Sequence, residues 1–228
     1  MARRSIIRRN ADASRTRLVE AATEEFALRG YDGARVDAIV ARAEVSKNLV
    51  YHYFAGKEAL FIAVMERIYV LMRAHHRDDL LKQLEPRAAI ERLIRSVHRL
   101  FVERPEIITL LNSENLHKAT HIAKSATIKT LYNPLLEALI DILERGSVAG
   151  VFRRGVDPVD LYITISGLSY FYIANAHTLT FIFNEDLLAE ERLARREEHI
   201  VEVVLGYLEA GRADDAVSVR PRVSTAPG

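Results

Sequence analysis

Cysteine is absent from the 228 residues, which excludes disulfide scaffolds, thiolate nucleophiles and cysteine-ligated zinc, and agrees with a reducing compartment. Long apolar runs are missing too. No stretch approaches the roughly 20 apolar residues that span a bilayer, and the arginine-rich N-terminus is not followed by the uncharged core of a signal peptide. The sequence therefore points away from the membrane and toward the cytoplasm. Phosphate loops, dinucleotide fingerprints and nucleophile motifs do not occur, so nothing marks an enzyme or a bound cofactor. Asn-Gly turns and sustained apolar-polar alternation are scarce, which argues against strands.

What the chain does have is apolar residues recurring at three- and four-residue spacing, in a sequence 49% hydrophobic and 28% charged. That pattern predicts an all-α protein of about nine helices with a sizeable core. The net charge of +1 conceals an asymmetry: residues 1–57 hold eleven basic and seven acidic side chains, a net of +4, leaving −3 for the rest. Arg3, Arg4, Arg8, Arg9, Arg15 and Arg17 face only Asp12 in the first seventeen residues. Such a local positive field suits a polyanion, although a solvated basic tail would look the same.

A first helix is expected over about 15–29, with Leu18, Ala22 and Phe26 on one stripe and Gly30 ending it. A short segment near 36–43 turns Val36, Ile39 and Val40 inward, and Ser46 is placed to cap a third helix over 47–53. Gly56-Lys57-Glu58 opens a long fourth helix toward residue 80. Pro86 and Pro105 mark the starts of segments over 86–103 and 105–118. A longer segment follows to about 146, interrupted at Asn133-Pro134, and Gly146, Gly150 and Gly155 then predict a loop. Asp157-Pro158 restarts the chain as an N-cap with a first-turn proline. The helix from 158 to about 183 is apolar nearly all round, as expected of one buried between subunits, and the last runs from about 187 to 209. After Gly211 the composition predicts a disordered tail.

Two short helices joined by a tight turn have the plan of a helix-turn-helix. At 100° per residue, Val50, Tyr53 and Phe54 fall on one side of the second helix, while Lys47, Asn48, Tyr51 and His52 gather on the other. One face packs and the other can read. Lys47 suits guanine or phosphate, Asn48 an adenine edge, and Leu49, off the packing face, a thymine methyl. Tyr51 and His52 can reach phosphates, and Lys57 adds a cation at the next helix's start. A merely solvated polar face remains open on periodicity alone.

The segments Gly30-Tyr-Asp-Gly33, Val36-Asp-Ala-Ile39 and Val45-Ser-Lys-Asn-Leu-Val-Tyr-His-Tyr-Phe-Ala-Gly-Lys-Glu-Ala-Leu60 resemble the N-terminal domain of TetR (tetracycline-repressor) family regulators. The resemblance implies that Lys47, Asn48, Leu49, Tyr51, Tyr53 and Lys57 touch double-stranded DNA while Val50 and Phe54 stay in the core. Periodicity buries Tyr53, whereas the family position brings it near a phosphate; a phenol can do both. Two positions depart from the family pattern: Arg35 replaces a capping Thr or Ser, and Glu44 replaces a turn glycine. Arg35 cannot cap but can hold a phosphate, and Glu44 fits only if its backbone need not be left-handed.

The same resemblance implies a DNA-binding domain over 1–60 with a basic arm at 1–14, an effector-binding and dimerisation domain over 61–210, and a tail over 211–228. It implies a ligand-responsive repressor, a homodimer joined through its last two long helices, cytoplasmic and nucleoid-associated when on DNA. In the second domain Asn112 and Asn115 share an apolar stripe, and Ser166, Tyr170, Tyr172, Asn175 and His177 interrupt the apolar helix, with Tyr132 beside the proline break. Asn112, Asn115, Tyr132, Ser166, Tyr170 and Asn175 are the expected contacts of a small aromatic or heterocyclic effector; mutual satisfaction across helices is the alternative. Glu114, His117 and His121, at spacings of three and four, fall on one helical face, but a second Glu-x-x-His is absent, so no metal is assigned. A helical metalloenzyme and an effector-free architectural DNA-binding dimer are the competing readings.

Overall fold

The computed structural model describes residues 2–76, 78–131 and 133–210, without the side chains of 2–11, 76, 78, 79 and 133. Residues 2–29 contain neither glycine nor proline, so nothing interrupts helix α1, Ala2–Gly33, until Gly30 turns at φ 66°. The basic stretch expected as a separate arm is thus part of α1 from Ala2 onward. Helices α2 (Val36–Arg42), α3 (Lys47–Phe54) and α4 (Lys57–His76) follow. Leu18, Ala22 and Phe26 of α1, Ile39 of α2, Val50 and Phe54 of α3, and Leu60, Phe61 and Val64 of α4 form a shared buried core. Phe26 meets Phe61 edge-on at 4.9 Å. Each such side chain, fully buried, is worth about 1.5–3 kcal/mol.

α4 continues past that core, burying Ile68 and Met72 in the larger body. A four-residue helix, α5 (Asp78–Leu81), precedes α6 (Pro86–Glu103), whose start at a first-turn proline is where the sequence puts it. α6 is the central post, touching α4, α9, α10 and α12 through Ile90, Leu93, Ile94, Val97, Leu100 and Phe101. α7 (Glu106–Leu116) leads into turns, a 3-10 segment Ile122–Lys124, α8 (Ala126–Leu131) and α9 (Asn133–Val148). A longer segment interrupted at Asn133-Pro134 is expected there; α9 does begin at Asn133, and the part before it divides further into turns, the 3-10 segment and α8. Gly146, expected in a loop, lies inside α9, where the ring of Phe152 covers it.

Asp157 caps α10 (Pro158–Ala174), its carboxylate accepting the N–H groups of Val159 at 2.8 Å and Asp160 at 2.9 Å. The expected single helix to residue 183 breaks at Asn175, whose side-chain amide donates back to the Phe171 carbonyl at 2.8 Å, and α11 (Ala176–Phe183) resumes. α12 (Glu190–Glu209) is fastened to α6 by Arg95 and Arg99, which reach Glu197 at 2.9 and 3.0 Å. Twelve α-helical segments and no strand occur among the described residues, all-α as expected but with more breaks than nine helices allow. The tail over 211–228 lies outside the described residues.

Candidate nucleic-acid interface

α3 sorts its side chains as a 3.6-residue period requires. Val50 and Phe54 are buried at 0% and 5% exposure, while Lys47, Asn48, Tyr51 and His52 are exposed, Tyr51 at 57%. Tyr53 is half-buried against the core, compatible with both of its expected roles. Leu49 is also half-buried and packed on the core, so it is less clear of the packing face than the wheel places it. Ser46 stands at the N-cap position with extended backbone, yet its hydroxyl makes no capping bond.

The turn before α3 puts the departure at 44 under strain. Val45 N–H donates to the Val40 carbonyl at 3.1 Å and Glu44 N–H to the Ala41 carbonyl at 3.3 Å, a Schellman closure of α2. Its pivot is Glu44, at φ 52°. The condition under which glutamate would be tolerated there is not met: the backbone is left-handed, as the family's glycine implies, and the residue bears the strain. Arg35 sits at the N-cap of α2 without a side-chain capping bond; its N–H donates to Glu25 Oε1 at 3.3 Å, and its side chain is exposed.

Cations rim the exposed face. Lys47 Nζ lies 2.7 Å from Asp37 Oδ1, and this hydrogen bond, more than the charge itself, holds the Lys47 pKa above the usual lysine value. Lys57 Nζ donates to the Asp32 carbonyl at 3.2 Å and lies 4.9 Å over the Tyr31 ring. Arg15 stacks on Phe54 at 5.1 Å. Both lysines are mobile-stemmed point charges whose hydrogen-bond partners, on Asp37 and Asp32, are exposed, so either can exchange them for a phosphate oxygen.

In the larger body, the Tyr170 hydroxyl donates to Asn112 Oδ1, and the Tyr170 ring packs edge-on against Phe101 at 5.8 Å. Burial raises the Tyr170 phenol above its ordinary pKa, with the Asn112 bond opposing. Ser166 Oγ, one turn earlier, is buried without a hydrogen-bond partner. Asn115 and Asn175 do not join these. Asn112 and Asn115 are exposed rather than on the buried face, because α7 turns Ile107, Leu110, Ser113 and Glu114 inward. Asn115 and Asn175 spend their amides on the carbonyls of Leu111 and Phe171 in their own helices. Tyr132 lies outside the described residues.

The Glu114, His117 and His121 face does not form either, since α7 ends at Leu116 and His121 lies in the turns beyond it. His121 Nδ1 is 2.7 Å from Glu114 Oε2, while His117 Nε2 faces Asp32 Oδ2 at 3.3 Å. No three metal-ligating side chains converge among the described residues. Sequence reasoning missed the rings around these histidines: Tyr31 packs at 4.2 Å on His121 and at 5.0 Å on Phe61. Its only visible signal was a tyrosine inside the Gly30-Tyr-Asp-Gly33 motif.

Comparison with known proteins decides the family. Residues 18–64 match the family model for bacterial regulatory proteins of the tetR family, and residues 86–204 match that for the tetracyclin repressor-like C-terminal domain. The chain belongs to the TetR family. It is 33% identical over 184 residues, 81% of this chain and 87% of the relative, to the HTH-type transcriptional repressor NicS of Pseudomonas putida. It is 27% identical over 205 residues, 86% of this chain and 91% of the relative, to the HTH-type transcriptional regulator RutR of Escherichia coli. Among solved structures, a Streptomyces coelicolor transcriptional regulator aligns with TM-score 0.64 and 27% identity over 86% of this chain and 98% of its own. The fold is shared with the regulator FadR of Bacillus subtilis in complex with stearoyl-CoA, at TM-score 0.62 and 17% identity over 85% and 98% of the two chains. This TetR-family chain is thus a helix-turn-helix transcriptional regulator and not an enzyme. The metalloenzyme reading falls with that. No helix among its described residues is long and apolar enough to cross a membrane.

Proposed function

We propose that this TetR-family regulator is a repressor that binds a palindromic operator as a homodimer and releases it on binding a small aromatic or heterocyclic effector. It works in the cytoplasm, on the nucleoid when bound. Residues 1–60 read DNA, 61–210 bind effector and dimerise, and α4 spans the boundary. The observation that carries the reading is α3 itself, which buries Val50 and Phe54 and leaves Lys47, Asn48, Tyr51 and His52 exposed together. Asn48 and Lys47 take base edges; Leu49 and Tyr53, half-buried, reach a thymine methyl and a phosphate; Arg35, Tyr51, His52 and Lys57 hold the backbone.

The homodimer reading is supported by apolar groups left in the open. Ile163 and Phe171 on α10, Phe181 and Ile182 on α11, and Val203 and Tyr207 on α12 are between 42% and 88% exposed. Gly167 lies on the α10 stripe between Ile163 and Phe171, and a Cβ there would meet nothing within 4 Å in its own subunit. Two such surfaces in a four-helix interface set the recognition helices about 34 Å apart, one turn of the double helix. We place the effector against Tyr170, Asn112 and Ser166, and the stearoyl-CoA held by the same fold in FadR supports a small-molecule site in this body. Release is a population shift, the effector binding the DNA-incompetent arrangement more tightly.

The test is operator binding with DNA from upstream of the protein's own gene. Tyr51→Ala and Lys57→Ala should each weaken binding with the dimer intact, and Lys57→Ala should lower the log-log salt slope by about one. Unchanged affinity in both variants would sink the proposal. A thermal-shift screen of aromatic and heterocyclic metabolites separates it from an effector-free architectural protein, which no ligand would both stabilise and release.

A further inference from the structure

The end of α7 holds the chain at the close of α1. Ser113 is buried there, and its hydroxyl accepts the Tyr31 N–H at 3.0 Å, just after the left-handed Gly30. Glu114, 2% exposed, accepts the N–H groups of His121 at 2.9 Å and Ile122 at 3.0 Å while its other oxygen meets His121 Nδ1. These bonds close a turn in which Lys118 and Ala119 stand in succession at φ 54° and 62°. Consecutive left-handed residues with side chains cost about 1–2 kcal/mol each and persist only where surroundings enforce them. A buried carboxylate three hydrogen bonds deep is such an enforcer.

The turn then meets the other domain on two sides. His121 packs on Tyr31 and Phe61, and His117 faces the Asp32 carboxylate. Lys124 pairs with Glu58, and Ser125 Oγ donates to Glu66 Oε1 at 2.6 Å, tying the turn's exit to α4. Lys57 lies over the Tyr31 ring and also donates to the Asp32 carbonyl. At the opposite end of the chain of contacts, Asn112 adjoins Ser113 in sequence and accepts from Tyr170 of α10.

We propose that α7 and the strained turn behind it form a relay that carries the state of the Tyr170–Asn112 contact to Lys57. The relay leads through Ser113 and Glu114, then His117 and His121, to Tyr31 and Asp32. Its biological input rests on the reading of Tyr170 and Asn112 as effector contacts. α7 is rigid, so displacement of Asn112 displaces its two neighbours with it. The turn offers two discrete arrangements: left-handed at Lys118 and Ala119 while Glu114 holds it, and relaxed when Glu114 is withdrawn. In the relaxed arrangement the two histidines leave Tyr31 and Asp32, and the groups that now position Lys57 lose their support.

Hydrogen–deuterium exchange on the full chain tests this without DNA or effector, so its failure is separate from failure of operator binding. Tyr170→Phe removes the bond to Asn112. The expected result is exchange faster by about threefold or more at residues 30–35 and 57–62, and loss of most of that increment in a Ser113→Ala background. His117→Ala, at a half-buried position, is the second background if Ser113→Ala does not fold, with the same expectation. An effect of Tyr170→Phe confined to α7 and α10, or an equal increment in wild type and in the cut backgrounds, overturns the relay.

Discussion

Glu44 is a single residue on which fold and function disagree. It holds the left-handed corner of the helix-turn-helix at φ 52°, where a Cβ is penalised and glycine is not. The closure bonds from Glu44 and Val45 to α2 do not depend on its side chain, which is exposed. Glu44→Gly should therefore stabilise the protein by about 0.5–1 kcal/mol, the relief of strain exceeding the added freedom of the unfolded chain. Urea unfolding at constant slope is the measurement; a midpoint that falls would mean the glutamate has a stabilising partner. Near a polyanion a removed negative charge should also help, so operator affinity should rise rather than fall.

At the scale of elements, the signals that were legible in the sequence are local ones. Pro86 and the Asp157-Pro158 pair fix the starts of α6 and α10 to the residue, because first-turn proline and a capping carboxylate act within one turn. The reading face of α3 was legible for a similar reason: eight residues of regular period leave no choice of which side packs. Illegible were features built from a distance. The turn after α7 is shaped by Glu114 reaching residues seven and eight positions on, so extending the helical wheel to His121 put three side chains on a face that does not exist. Asn112 and Asn115 fail for a different reason: they lie inside α7, but the face it buries is set by Ile107, Leu110, Ser113 and Glu114. The break at Asn175 needed an amide turned back on its own helix, without glycine or proline to announce it.

Gly146 shows the cost of reading glycine as a loop signal by default. It is helical, and a Cβ added there would stand 2.1 Å from the Phe152 ring. The glycine is what lets the chain after α9 fold back so closely. Gly146→Ala should destabilise the protein by about 1–3 kcal/mol despite alanine's better helix propensity, because overpacking a well-filled contact outweighs the gain. Adding Phe152→Leu should restore part of the loss. Equal melting temperatures for wild type and Gly146→Ala would show that the ring moves freely aside.

For the whole molecule, the decisive question is what covers the open face of α10, α11 and α12. Exposed Phe171, Phe181 and Ile182 form a surface that a monomer would leave in water at about 25 cal/mol per Å² of apolar area. A stable interface needs about 1,200–2,000 Å² in total, which paired helices of seventeen and twenty residues, α10 and α12, are long enough to supply. Phe171 is 60% exposed, so Phe171→Glu disturbs little of the subunit's own core and, in the proposed dimer, would bury a carboxylate from each subunit in the interface. The expected result is a folded monomer by sedimentation equilibrium, with helical content unchanged. Operator affinity should fall with it, since each recognition helix then holds only one half-site. A variant that stays dimeric would place the interface elsewhere on the surface, and with it the spacing of the two recognition helices.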